Sequence, residues 1–189
     1  MKPSHIALIL ALAVLGAGAG VFVGQRTMIP QGPPLPEGTL VLQEGDRRPD
    51  AEMLRVGDAG TGALSDYDGR PLLINFWATW CPPCVEELPL LDSLHARTAP
   101  AGGLQVIGIA LDDPEEVERF LGEVPVDFPM YLATPGRVDL STTLGNSRSV
   151  LPYSVLIGAD GRIAKRKFGA FSERSLAEWV AGFEGLASE

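Results

Sequence analysis

The sequence predicts an α/β domain of three layers, with a central mixed sheet between helices. Apolar runs of strand length alternate with segments in which apolar residues recur every three or four positions, an order typical of strand–helix units. Towards the carboxyl end, two more apolar runs flank the tight turn Ala159-Asp160-Gly161 and predict an antiparallel hairpin. A last amphipathic segment after this hairpin closes the domain.

Composition fits one globular domain with additional segments. The chain has 189 residues, of which 46% are hydrophobic, and 15 Lys and Arg against 24 Asp and Glu give a net charge of −9. The hydrophobic content suits a packed core and argues against a disordered chain. The acidic balance argues against nucleic-acid binding and against a polybasic membrane-surface patch.

The amino-terminal quarter predicts a targeting segment and a linker. Residues 6–23 carry no charge, and as a helix these 18 residues would span about 27 Å, close to the hydrocarbon thickness of a bilayer. Because this run is longer than an ordinary signal-peptide core, we expect residues 1–24 to be an uncleaved signal anchor; the alternative is a signal peptide cleaved at Ala17-Gly18-Ala19. Both interpretations place the remainder outside the cytoplasm. Residues 25–50 are rich in Pro and Gly and predict a semi-rigid linker, so the folded domain is expected over residues 51–189.

The central strand and its helix come first in the domain. Residues 72–77 form an apolar run that predicts a strand buried on both faces, preceded by the Asp68-Gly69 turn. Apolar residues then recur with helical spacing from Pro82 to about residue 97, and Pro89 inside this segment predicts a kink.

Apolar runs and cap residues define the later elements. A second strand is expected over residues 104–111, and Asp113 with Pro114 predicts the start of a helix that reaches residue 122. In chain order there follow a strand at 128–132, a short helix at 138–144, hairpin strands at 150–157 and 162–168, and a helix capped by Ser172 or Ser175.

The only two cysteines, Cys81 and Cys84, stand between the central strand and its helix. A helix start presents unpaired backbone N–H groups and the positive end of the macrodipole, and both lower the pKa of a thiol there. We therefore expect Cys81 to be the exposed nucleophile and Cys84 the more buried resolving thiol. A Cys-x-x-Cys pair can also be half of a zinc site. The chain has no second pair, and its one nearby histidine, His95, is expected to be exposed, so neither a metal nor a cofactor is predicted.

Several motifs resemble the thioredoxin superfamily, in particular its membrane-anchored TlpA/ResA/CcmG-like thiol-disulfide oxidoreductases of bacterial exported compartments. The matching segments are Leu64-Ser65-Asp66, residues 75–84 (Asn-Phe-Trp-Ala-Thr-Trp-Cys-Pro-Pro-Cys), Glu87, Pro89, Leu151-Pro152 and Asp160-Gly161-Arg162. The resemblance extends from about residue 50 to the end, together with the amino-terminal segment. It implies a thioredoxin-like three-layer sandwich.

This resemblance implies a redox role for three residues. Cys81 would be the attacking cysteine and Cys84 the resolving one. Glu87 matches the active-site glutamate of the family and lies on the same side of the helix as Cys84. Asn75 stands where cytosolic thioredoxin has a buried aspartate, as in the TlpA/ResA group, which moves proton transfer to Glu87 or to water.

Three further residues are predicted to contact substrate. By resemblance, Pro152 would be preceded by a cis peptide bond, lie beside the disulfide and present the backbone of Leu151 for strand-like pairing. Trp80, next to the first cysteine, is expected to shield the sulfurs and pack on substrate, whereas Trp77 is expected to fill the core.

The predicted reaction is thiol–disulfide exchange on protein cysteines through a mixed disulfide. Because an exported compartment is oxidising, a dithiol reductase there needs electrons from across the membrane. The resemblance implies a membrane donor of the DsbD/CcdA type, a location at the bacterial inner membrane with the domain facing the periplasm, and a substrate such as an apocytochrome c or a copper-site assembly protein. Two alternatives stay open: a periplasmic thiol oxidant or isomerase, and a non-enzymatic module that binds a metal through the two cysteines.

Overall fold

A computed structural model describes residues 35–57, 60–133 and 139–183. The strands are β1 (Glu52–Arg55), β2 (Thr61–Ala63), β3 (Leu72–Trp77), β4 (Gln105–Ala110), β5 (Met130–Leu132), β6 (Tyr153–Ile157) and β7 (Ile163–Phe168). The helices are α1 (Pro82–Thr98), α2 (Pro114–Glu123), α3 (Leu140–Thr143) and α4 (Glu173–Val180), with 3-10 turns at Leu64–Tyr67 and Ala99–Ala101. Within the described residues, the strands form one sheet in the order β2-β1-β5-β4-β3-β6-β7.

Strand β3 is the centre of this sheet. It pairs in parallel with β4 and antiparallel with β6, which confirms the predicted mixed sheet. All six of its residues are buried, as expected for an apolar strand covered on both faces. Alternation along the strand directs Leu73 and Trp77 to one face and Ile74 and Phe76 to the other.

The two faces of the sheet are covered unequally. Helices α1, α2 and α4 pack on the face of Leu73 and Trp77. The opposite face is covered by the 3-10 turn Leu64–Tyr67 and by the residues around the single-turn helix α3. The layer on this second face is therefore much thinner than the helical layer that carries the cysteines.

The chain before β1 also packs against the domain. The Leu42 N–H donates to the Thr143 carbonyl at 2.8 Å, and the Gly45 N–H donates to the Ile163 carbonyl at 2.8 Å. Residues 42–45, which the sequence assigned to the linker, thus contact α3 and the carboxyl-terminal hairpin. The β1–β2 hairpin is a further feature that the apolar patterns did not predict.

The predicted anchor at residues 1–24 lies outside the described residues. Within the part of the chain that the structure describes, no helix combines the length and the hydropathy needed to cross a bilayer.

Candidate active site

Cys81 and Cys84 form a disulfide at the start of α1, with an S–S distance of 2.03 Å. Cys81 is the N-cap residue of the helix, and the Cys84 N–H donates to its carbonyl at 3.0 Å. The side-chain environment differs between the two, because Cys81 is 6% exposed and Cys84 is 0% exposed. Both residues are thus buried, which corrects the expectation of an exposed Cys81, although Cys81 keeps the small exposure that the pair has.

Two prolines modify the helix start. Pro82 and Pro83 occupy the first two helical positions, and neither has a backbone N–H. The first N–H of the helix belongs to Cys84, and it is already bonded within the turn. The helix dipole still favours a thiolate at Cys81, but the unpaired N–H donors expected from the sequence are fewer than in an ordinary helix start.

Glu87 is a buried carboxylic acid one turn beyond Cys84, with only 2% of its surface exposed. One oxygen, Oε1, accepts from Asn75 Nδ2 at 2.8 Å, and Oε2 accepts from the Phe171 N–H at 2.7 Å. Burial raises the pKa of Glu87, and the hydrogen bonds from Phe171 and Asn75 and the charge of Lys167 offset this only in part. Glu87 thus binds a proton more readily than a solvated glutamate does.

Asn75 places an amide between Glu87 and strand β6. Its Nδ2 also donates to Ser154 Oγ at 3.0 Å, while its buried Oδ1 has no hydrogen-bond partner among the described residues. An amide can turn either its Nδ2 or its Oδ1 towards a neighbour. Asn75 can therefore pair with Glu87 both as a carboxylate, which accepts, and as a carboxylic acid, which donates.

Lys167 continues the row of polar residues across the sheet. Asn75 is in register with Ser154 on β6, and Ser154 is in register with Lys167 on β7. The Lys167 Nζ lies 5.1 Å from the centroid of the Phe171 ring. This positive charge stands near the buried carboxyl group of Glu87 and favours its ionised form.

Asp112 holds the loop between β3 and Cys81. Its Oδ2 accepts from the Thr79 N–H at 2.8 Å and from Thr79 Oγ1 at 2.5 Å. Burial raises the pKa of Asp112, but the hydrogen bonds from Thr79 and Asp113 outweigh it and hold this pKa below its usual value. The neighbouring Asp113 caps helix α2, as the sequence predicts, since its Oδ1 accepts from the Glu115 N–H at 2.9 Å.

The residues predicted to meet substrate differ in exposure and in backbone geometry. Trp80 is 67% exposed, which leaves its ring free to contact another molecule, whereas Trp77 is fully buried as expected. The Leu151–Pro152 peptide bond is cis, which confirms that prediction. Leu151 is partly buried against the apolar cluster that contains both cysteines.

A groove runs beside the exposed Trp80. It has a volume of about 190 Å³ and is lined by Thr79, Trp80, Glu116, Arg119, Phe120 and Glu123. Helix α2 thus forms one wall of the surface next to the disulfide.

Sequence reasoning missed four residues of this site: Ser154, Lys167, Phe171 and Asp112 in its contact with the loop. Phe171 acts through its backbone N–H, so no side-chain pattern could have identified it. The signal for Ser154 and Lys167 was the strand register, because polar residues that face a core in adjacent strands must lie side by side. No group of metal-ligating side chains gathers anywhere in the described part of the chain.

Comparisons with known proteins agree with this geometry. The model of the Redoxin family matches residues 43–180. The thiol-disulfide oxidoreductase ResA of Oceanobacillus iheyensis is 30% identical over 136 residues, which cover 70% of this chain and 68% of that protein. The ResA of Geobacillus thermodenitrificans is 25% identical over 175 residues, which cover 92% of this chain and 90% of its own length.

A solved structure supports the same assignment. The crystal structure of a putative thiol:disulfide interchange protein DsbE from Chlorobium tepidum superposes with a TM-score of 0.66 at 26% identity, covering 76% of this chain and 99% of that one. The fold is therefore thioredoxin-like, as the resemblance implied, and the Cys81–Cys84 pair has the spacing of a redox-active disulfide. The chain belongs to the Redoxin family and is a thiol-disulfide oxidoreductase of the ResA/DsbE type that acts on protein thiols.

Proposed function

We propose that this protein is a dithiol reductase that works outside the cytoplasm and serves the assembly of c-type cytochromes or of a related copper site. In this proposal residues 1–24 anchor it in the inner membrane, the domain faces the periplasm, and a membrane donor of the DsbD/CcdA type supplies electrons. The uncharged run at residues 6–23 supports the anchor. The similarity to ResA and to a DsbE-type structure supports the chemistry.

The direction of electron flow rests on one observation, the two prolines at the start of α1. A disulfide is strongly oxidising when its reduced form contains a well-stabilised thiolate. At Cys81 the first two helical residues contribute no N–H, so a thiolate there has fewer hydrogen-bond donors. The reduced form is thus less favoured than in an oxidant, which supports a reductase.

The first step is attack on a substrate disulfide. The Cys81 thiolate, whose residue is the more exposed of the pair, forms a bond to one substrate sulfur, and the other substrate sulfur leaves as a thiolate. Cys84 stays out of this step because it is fully buried. The product is a mixed disulfide between Cys81 and the substrate.

The second step closes the internal disulfide and needs a base near Cys84. Glu87 fits this role, since it lies one turn along α1 in the same buried layer and its raised pKa makes it a better proton acceptor than a solvated glutamate. The Cys84 thiol gives its proton to Glu87, attacks the Cys81 sulfur and releases the second substrate thiolate. The membrane donor then reduces the Cys81–Cys84 disulfide with two electrons and two protons.

Substrate binding is assigned to the surface beside the sulfurs. The backbone of Leu151 pairs with an extended substrate segment, Pro152 keeps this segment close to the disulfide, and the exposed ring of Trp80 packs on it. Main-chain pairing of this kind accepts many sequences, because the hydrogen bonds do not depend on the side chains of the substrate.

Reduction of insulin disulfides by the pre-reduced protein tests this function. The wild-type protein should cleave the insulin interchain disulfides, and Cys84→Ser should stop at a mixed disulfide that a non-reducing gel detects. Cys81→Ser is the matched control and should form no adduct. A wild-type protein that leaves insulin intact, or a Cys84→Ser variant that forms no adduct, would contradict the proposed function.

A further inference from the structure

A single buried amide closes the loop that leads into the Leu151–Pro152 segment. Asn146 is 0% exposed, and its side chain contacts the backbone of Val150 at both ends. The Nδ2 donates to the Val150 carbonyl at 3.0 Å, and the Oδ1 accepts from the Val150 N–H at 3.0 Å. The Ser149 N–H also donates to the Asn146 carbonyl at 3.1 Å. The Asn146 side chain therefore pairs with Val150 as a neighbouring strand would.

Asn146 is itself fixed to helix α3. Its backbone N–H donates to the Ser141 carbonyl at 2.8 Å, and Ser141 is fully buried. Asp139 caps the helix, because its Oδ1 accepts from the Ser141 N–H at 2.9 Å. The amide of Asn146 thus transmits the position of α3 to Val150.

The loop has little else to hold its shape. Residues 147–150 are exposed, so burial of their side chains contributes little to its conformation. Ser149 has a φ of 51°, a left-handed conformation that residues with a side chain rarely adopt unless their surroundings impose it. The two bonds between Asn146 and Val150 span this residue and can impose it.

The position of Val150 matters because the next residue in the chain is Leu151. Tyr153, the first residue of β6, is in register with Phe76 near the end of β3, and the chain runs from that end of β3 to Cys81. Leu151 consequently lies towards the end of the sheet from which the chain leads to the disulfide. It packs against both apolar clusters, one of which contains both cysteines. A shift of Val150 would move the backbone that substrate is expected to meet.

We propose that Asn146 is the positioning residue of the substrate-binding segment. It holds Val150, and through Val150 it sets the backbone of Leu151 for pairing with a protein disulfide. This inference rests on the proposed function, in which Leu151 pairs with substrate. Asn146 takes no part in the sulfur chemistry, so its removal weakens the binding of protein substrates and leaves the reaction with small disulfides unchanged.

Asn146→Ala tests the proposal, with Ser147→Ala, at the next position of the same loop, as the matched control. The control removes an exposed hydroxyl and leaves both bonds to Val150 in place. Each pre-reduced protein is mixed with increasing insulin and, separately, with bis(hydroxyethyl) disulfide, which has no backbone to pair. For Asn146→Ala the half-saturating insulin concentration should rise about tenfold, as expected for the loss of interactions worth one or two hydrogen bonds, with the limiting rate little changed.

The small disulfide should react with Asn146→Ala at the wild-type rate, and Ser147→Ala should match the wild type for both substrates. Asn146→Gln keeps the amide but displaces it by one methylene group, so it misplaces both bonds to Val150 and should also weaken insulin binding without affecting the small disulfide; it serves if the alanine variant does not fold. An unchanged half-saturating concentration, or an equal loss with both disulfides, overturns the proposal. If the wild type does not reduce insulin at all, the proposed function fails and this inference fails with it.

Discussion

Glu87→Gln changes the site in a way that the structure predicts in detail. The carboxyl group is 2% exposed and receives two hydrogen bonds, from Asn75 and Phe171. Burial nevertheless prevails and raises the pKa of Glu87. Gln has the same shape and cannot ionise, so it resembles the protonated acid, and Asn75 can turn its Oδ1 towards the new amide.

The raised pKa determines the sign of the pH dependence. The folded protein holds the proton of Glu87 more tightly than the unfolded chain does. Its contribution to stability is therefore fully present below the unfolded pKa of about 4.3 and is lost as the pH rises through the folded pKa. The loss amounts to about 1.4 kcal/mol for each unit by which the pKa is raised.

Urea unfolding of the wild type and Glu87→Gln at several pH values measures this effect. The free energy of unfolding of the variant, relative to the wild type, should increase between about pH 4 and pH 8. Any fixed cost of the new amide contacts is the same at every pH and does not alter this slope. Glu86→Gln is the matched control, since Glu86 lies outside the buried face of α1. A difference between Glu87→Gln and the wild type that is constant with pH would refute the reasoning.

The same substitution should slow the release of substrate. Without a base near Cys84, closure of the internal disulfide should fall by about 100-fold or more near neutral pH. Stopped-flow mixing of the pre-reduced variant with insulin, followed by acid trapping of the mixed disulfide, measures this step. An unchanged rate across the pH range would exclude Glu87 as the base.

Three other substitutions test separate parts of the site. Pro83→Ala returns one N–H to the helix start, so the reduced protein should show a lower pKa for Cys81, and the Cys81–Cys84 couple should have a less negative reduction potential. Pro89→Ala, in the middle of the helix, is the control, and an equal effect from it would contradict this explanation. Lys167→Met removes a charge that lowers the pKa of Glu87, so the pH profile of insulin reduction should shift to higher pH. An unmoved profile would argue against an effect of Lys167 on the Glu87 proton. Asp112→Ala removes the acceptor that holds the active-site loop and should lower the free energy of unfolding by about 1–2 kcal/mol in urea, whereas an unchanged midpoint would mean that water replaces these bonds at no cost.

The elements that carry the cysteines could be predicted because their sequence signals are local. Five apolar residues among six predicted β3, and the spacing of buried leucines on one face predicted α1 almost to its last residue. The cap at Asp113 was also readable, since its partner is the N–H of Glu115 two residues away. These interactions join residues that are near one another in the chain.

The parts of the fold that the sequence did not predict depend on contacts between residues that are distant in the chain. The β1–β2 hairpin has strands of only four and three residues, too short for a clear alternation, and β1 is completed by pairing with β5. Arg166 reaches back across 124 positions to the Leu42 carbonyl, which helps to fix a segment assigned to the linker. The expectation that His95 is exposed was wrong, because its Nδ1 accepts from the Val106 N–H of β4 and burial lowers its pKa.

The same distinction between local contacts and contacts of distant residues applies within the site. Glu87 was identifiable from its spacing to Cys84, but its state depends on the Phe171 N–H, 84 positions further along the chain. Asn146 belongs to no recognisable sequence motif, and its proposed positioning role is inferred from the two hydrogen bonds between its amide and the Val150 backbone. Sequence patterns locate groups that react, whereas the groups that orient them are found from the packed structure.

The reduction potential of the Cys81–Cys84 couple tests the central claim most directly. It is measured by equilibrating the protein with dithiothreitol or glutathione buffers and quantifying free thiols. A dithiol reductase with a poorly stabilised Cys81 thiolate should have a potential near or below that of the thioredoxin range, about −270 mV. A value close to about −120 mV, typical of a periplasmic oxidant, would contradict the proposed direction of electron flow.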